Sequence, residues 1–181
     1  MKRATAIAAL AGGAALVFLV VMVITGARPE QRQYVKFEAK GVMQLPPEQI
    51  TRVALRVGTR TAVLVRTADN RWLRENGEPL GAAAGKRLSM AVQFMNTSEP
   101  VRVLEPGDLT GTDRREFGLD QPHLSIVLFE GERQVIGAQF CGRNPDGMLQ
   151  YVALEGRREL YLLSRFVGEE WDAAAKAALG G

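Results

Sequence analysis

Apolar and polar residues alternate with a period of two through much of the chain. Ile50, Val53, Leu55 and Val57 are interleaved with Arg52, Ala54 and Arg56, the pattern of a half-buried strand. Gly58-Thr59 forms a turn, "TAVLVR" repeats the alternation, Asp69-Asn70 turns again and "RWL" follows. These segments predict a three-stranded antiparallel meander. Over residues 82–96 the period changes, and Ala84, Leu88, Ala91, Val92 and Met95 fall on one helical face. An internal Gly85 costs about 1 kcal/mol, which places the firm start of this helix near Lys86. Asn96, Thr97, Ser98 and Pro100 end it.

"VRVLE" reads as a short strand, and "PGDLTGTDRRE" as a loop. "FGLDQP" then forms a stiff knot. Gly118 can adopt a positive φ, while Pro122 fixes its own φ and pushes Gln121 towards extended geometry. Phe117 and Leu119 are expected to pack into the core beside it. From Leu124 to Phe129 both faces are apolar, which predicts a central strand covered on at least one side. "RQVIGAQF", "MLQYVALE" and "ELYLLS" add further strands. "VGEEWDAAAKAALGG" is helical, with acids expected in its first turn and Lys176 later, as the helix dipole favours. The predicted class is α+β. An N-terminal transmembrane helix precedes one domain of antiparallel hairpins and meanders, arranged as two halves joined by a connecting helix and closed by a C-terminal helix.

Residues 4–27 carry no charge, and this run of 24 residues exceeds the ~20 that a bilayer core requires. A cleaved signal peptide would have a shorter apolar region, although Thr25-Gly26-Ala27 is a passable exit. A buried core helix does not fit either, because the run has no polar face. An uncleaved signal anchor fits best, and the only cysteine, Cys141, excludes a lipoprotein. The expected organisation is therefore a tail and anchor over 1–28, a stalk over 29–49 where "YVKFEA" could begin a strand, a domain over 50–165, and a helical tail over 166–181. Lys2 and Arg3 precede the anchor, and a short tail before a long folded domain favours the tail inside and the domain outside the cytoplasmic membrane. Ala4, Ala8 and Gly12 recur every fourth residue, a spacing that lets membrane helices approach closely.

Charge changes this picture little. The chain has 23 Lys and Arg against 20 Asp and Glu, so the sequence beyond Lys2 and Arg3 is close to neutral. No concentrated basic footprint points to nucleic acid. A single histidine excludes His-rich metal sites, and no cofactor-binding pattern is present. If the strand is regular from His123, His123 and Ser125 share a face, but no nucleophile elbow accompanies them. Cys141 lies close to Arg143, yet it has no resolving partner. Asp108, Asp113 and Asp120 share a loop without a calcium-loop register. Arginine is more suggestive. Arg52 and Arg56 lie on one strand face, with Arg60, Arg66, Arg71 and Arg74 in the same meander, and an arginine-lined sheet face could dock an acidic protein or anionic headgroups.

Trp72, the small-residue helix, "VRVLE", "REFGLDQP", "VIGAQF…NPDG" and Tyr151 before "ELYLL" follow one another in order. This set resembles the bacterial domain-of-unknown-function family numbered 4340, over roughly residues 50–165. The motif positions are Trp72, Phe117, Gly118, Leu119, Pro122 and Tyr151. The resemblance implies a membrane-anchored exported protein of the kind associated with ABC-transporter or gliding systems, and no enzymatic activity. This chain is a short member with one copy of the unit. The expectation is a single-pass, non-catalytic accessory subunit in the bacterial inner membrane, with a periplasmic domain that binds a larger membrane or envelope complex. The alternative is an extracytoplasmic module for a small molecule or glycan, near residues 105–122 and 141–147.

Overall fold

The computed structural model describes residues 12–23 and 39–180. The chain divides into two compact units, 1–37 and 38–181. In the first, residues 12–23 form helix α1, whose residues are all exposed. Among the described residues, no helix is long and apolar enough to cross a membrane. Ala4, Ala8, the remainder of the uncharged run and residues 34–38 of the expected stalk strand lie outside the described residues.

The second unit is built on one sheet. Strands β1 (Arg52–Val57), β2 (Arg60–Arg66) and β3 (Trp72–Arg74) form the expected meander. Helix α2 (Ala82–Thr97) then leads to β4 (Arg102–Leu104), and a long loop leads on to β5 (Leu124–Glu130). Strands β6 (Arg133–Arg143), β7 (Leu149–Leu154) and β8 (Leu160–Ser164) follow, and helix α3 (Arg165–Ala178) ends the fold. The strand order is β3-β2-β1-β5-β6-β7-β8-β4, with every pairing antiparallel. The two expected halves are thus one continuous sheet. β1 pairs with β5 from Arg52↔Phe129 to Arg56↔Ser125, a long-range contact that short-range periodicity does not carry.

This order fixes where the connections run. β3 and β4 lie at opposite edges, so the chain between them, which contains α2, crosses one face of the sheet. β4 and β5 are four places apart, and the loop between them returns across the other face. On the first face, Val53, Leu55, Leu64, Leu124, Ile126, Leu128, Phe140 and Val152 are buried beneath the two helices. α2 contributes Leu88, Ala91, Val92 and Met95, and α3 contributes Val167, Trp171 and Ala174. Trp72 is buried in the same core and donates from Nε1 to Ser89 Oγ at 2.9 Å. Arg74 closes the other helix by donating to the carbonyls of Ala178 and Ala177, which lack intrahelical partners.

Several boundaries differ from the sequence reading. α2 starts at Ala82 rather than near Lys86. Gly85 is internal and faces Trp72, so packing outweighs its poor propensity. α3 starts at Arg165, which moves Glu169 and Glu170 out of the first turn. They pair instead with Arg143 at 3.6 Å and Arg87 at 3.4 Å. The unit also begins before residue 50. The backbone amides of Gly41 and Met43 donate to the carbonyls of Asn96 and Met95, both at 2.8 Å. Asn96, itself buried, donates back to the carbonyls of Met43 and Leu45.

Gln150 is the other buried polar side chain among the described residues. Its amide nitrogen donates to the Cys141 carbonyl at 3.2 Å, and its amide oxygen lies against α3 at Gly168. A Cβ at Gly168 would sit 1.7 Å from that oxygen. Gly168→Ala is therefore expected to destabilise the fold by about 1–3 kcal/mol through overpacking, against the ~1 kcal/mol that alanine gains in helix propensity. Urea denaturation checks this, and a midpoint at or above that of the parent protein would contradict it.

Candidate functional site

The loop returning from β4 to β5 covers only part of the second sheet face. It carries Leu109, Phe117 and Leu119 onto a smaller cluster of Leu104, Cys141, Tyr151, Leu160 and Leu162. Phe117 meets Tyr151 edge-on, with ring centroids 5.0 Å apart and planes at 72°. Gly118 has φ +70° and lies directly on β6, where a Cβ would be 2.6 Å from the Gly142 nitrogen. Gly142 is also tight, since its own Cβ would be 3.1 Å from the Phe117 carbonyl oxygen. The positive φ expected at Gly118 is thus present. Phe117 and Leu119 pack on this second face and not in the main core, because the loop crosses the face opposite the helices. Pro122 completes the knot, half-buried, two residues before β5 begins.

Beyond the loop, the face over β2, β1, β5, β6 and β7 remains open as a trough of about 610 Å³. The strand register explains its depth. One row across the strands reads Val63, Ala54, Val127 and Gly137. The next reads Thr61, Arg56, Ser125, Gln139 and Ala153. Small side chains keep the middle low, while Arg114 on the loop and Arg157 on the β7–β8 hairpin line the end nearest β7. The carboxylate of Glu155 lies over Gly137, held by a hydrogen bond from Gln134 at 2.6 Å.

The trough is basic. Arg56, Arg114 and Arg157 line it together with a single acid, Glu155. None of the three arginines pairs with a carboxylate among the described residues, and only Arg56 reaches a polar side chain, Ser125 Oγ at 3.5 Å. Arg52 shares this face but is already engaged. Its guanidinium stacks 4.2 Å above the Phe129 ring and pairs with Glu132 at 3.3 Å. Arg60 pairs with Val57, a register that sets it on the helix-side parity of Leu64. Arg66 stacks on Trp72 and donates to the Pro47 carbonyl, Arg74 serves α3, and Arg71 pairs with Asp69. The arginines of the meander therefore do not form one surface. Arg114 and Arg157, which sequence periodicity did not single out, join Arg56 through the fold.

The remaining chemical candidates have structural partners. His123 pairs with Asp172 of α3 at 3.1 Å and lies 3.3 Å from the Gln150 amide. Ser125 faces the trough on the other side, so the two do not share a face, because the regular strand starts only at Leu124. Asp108 and Asp113 accept hydrogen bonds from the Glu105 and Arg115 amides, and Asp120 pairs with Arg115 at 3.3 Å. Among the described residues, no group of three or more His, Cys, Asp or Glu side chains could hold a metal ion. Comparison with known proteins found no matching family model, no matching curated protein and no matching solved structure.

Cys141 is free and buried, and burial pushes its thiol pKa up, against smaller lowering effects of an Ala153 backbone hydrogen bond and the Arg114 charge. The folded state therefore holds the thiol proton to higher pH than the unfolded state. This contribution to stability is complete below the unfolded thiol pKa of about 8.5 and is lost as pH rises towards the folded value. Maleimide labelling at neutral pH is expected to be slow in the native protein and complete in denaturant. Rapid labelling of the native protein would show that the second-face cluster does not close over Cys141.

Proposed function

We propose that this protein is a non-catalytic accessory subunit. It is anchored by its uncharged N-terminal run and presents the α+β domain outside a bacterial cytoplasmic membrane, where the domain binds a larger membrane or envelope complex. The observation that carries this reading is the pairing, in one chain, of a 24-residue uncharged run with a domain whose sheet keeps one arginine-lined face open. The described part of the run, α1, exposes Leu16, Phe18 and Leu19, a surface suited to lipid or to another helix. The ordered motif residues support kinship with the 4340 family. Trp72 anchors β3 to α2, Gly118 seats the knot on β6, and Tyr151 receives Phe117.

A second reading, an extracytoplasmic module for a small molecule, draws on the same trough. Its volume of about 610 Å³ lies within the ~300–1,000 Å³ of ordinary ligand sites. It spans five strands from β2 to β7, a length that favours a protein segment.

Two measurements test the proposal together. External protease is expected to digest the domain in intact spheroplasts, and purification in mild detergent is expected to recover a stoichiometric membrane partner. A protected domain would overturn the orientation. A monomer that retains a small ligand would favour the second reading.

A further inference from the structure

We infer that the open trough is a docking groove for an extended acidic segment of a partner protein, with carboxylates four residues apart. The inference rests on the accessory-subunit reading and specifies its partner chemistry. The trough runs across the strands, and neighbouring strands are ~4.8 Å apart. From Thr61 on β2 to Ala153 on β7 the register crosses four such spacings, ~19 Å in all. An extended stretch of about six residues, at ~3.3 Å each, covers that length.

The charges select the sequence of such a segment. Arg56 stands near one end of the row, and Arg114 and Arg157 stand beside Ala153, three strand spacings or ~14 Å away. In an extended chain, side chains at i and i+4 point the same way and lie ~13 Å apart. Carboxylates at those two positions meet the two ends together. The side chain at i+2 points down between them, towards Ser125 and Gln139. Guanidinium groups without carboxylate partners suit this task, because no existing ion pair has to be broken. Glu155 is the one opposing charge, and its carboxylate is held over Gly137 by a hydrogen bond from Gln134.

The test uses the full chain in mild detergent and two fluorescent heptapeptides of equal charge, followed by anisotropy. The first has glutamates at its second and sixth positions, valine at the fourth and threonine elsewhere. The second carries its glutamates side by side. The spaced peptide is expected to bind at least about tenfold more tightly, and Arg56→Ser or Arg157→Ser to weaken it by about tenfold each. Arg60→Ser, on the other parity, is expected to leave it unchanged. All three arginines are exposed and free of carboxylate partners, so these variants are expected to keep the parent melting temperature. Equal binding of the two peptides, no measurable binding, or indifference to Arg56→Ser and Arg157→Ser would overturn the inference. Competition by free glutamate as effective as competition by the spaced peptide would also overturn it, pointing to a small-anion site. A failure of the accessory-subunit reading shows separately, as a protected domain in spheroplasts or as the absence of a membrane partner.

Discussion

The shape of the second sheet face depends on a backbone-to-backbone contact between two glycines. Gly118, at φ +70°, rests on Gly142 so closely that a Cβ at position 118 would displace main chain, while one at 142 would press on the Phe117 carbonyl. This contact brings the loop between β4 and β5 down onto the sheet and seats Phe117 against Tyr151. It also stops the covered area at β6 and β7. Everything on that face beyond Arg114 stays open, so the contact that closes the second cluster also defines the wall of the trough.

The two faces of the sheet consequently obey different rules. Under α2 and α3 the positions are large and fully buried, and even their polar members are placed by specific bonds, Asn96 to the carbonyls of residues 43 and 45 and Gln150 to that of Cys141. On the open face the same strands present alanine, serine, glycine and valine. Neither α2 nor α3 packs over these positions, which leaves room for a ligand or a partner. The mixed pattern of β5 reflects both roles, with Leu124, Ile126 and Leu128 turned inward and Ser125 and Val127 turned to the trough.

Much of the fold was legible in local pattern. The meander over β1 to β3, the period change at α2, the central position of β5 and the left-handed Gly118 all follow from alternation, spacing and the conformational freedom of glycine. The joining of β1 to β5 was not legible, because it is a contact between residues more than 60 positions apart. The same long-range pairing hid the candidate site. Arg56 stood out through its strand alternation, whereas Arg114 opens a short 3-10 turn within the long loop and Arg157 lies on a hairpin, and only the sheet order brings them together. Arg52 and Arg66 looked alike in sequence, but stacking on Phe129 and Trp72 gives each a structural role. The ordered motif of Trp72, the Phe117-Gly118-Leu119 knot and Tyr151 proved to consist of packing residues, which accounts for a signal of fold rather than of chemistry.

The central claim is that the open sheet face is free in the isolated protein and covered in its complex. The most direct measurement is thiol labelling of a Ser125→Cys variant, since position 125 lies in the middle of the trough and Cys141 is buried. The account predicts rapid labelling of the purified chain and protection of the same site in native membranes, where the partner is present. Equal labelling in both settings would contradict it.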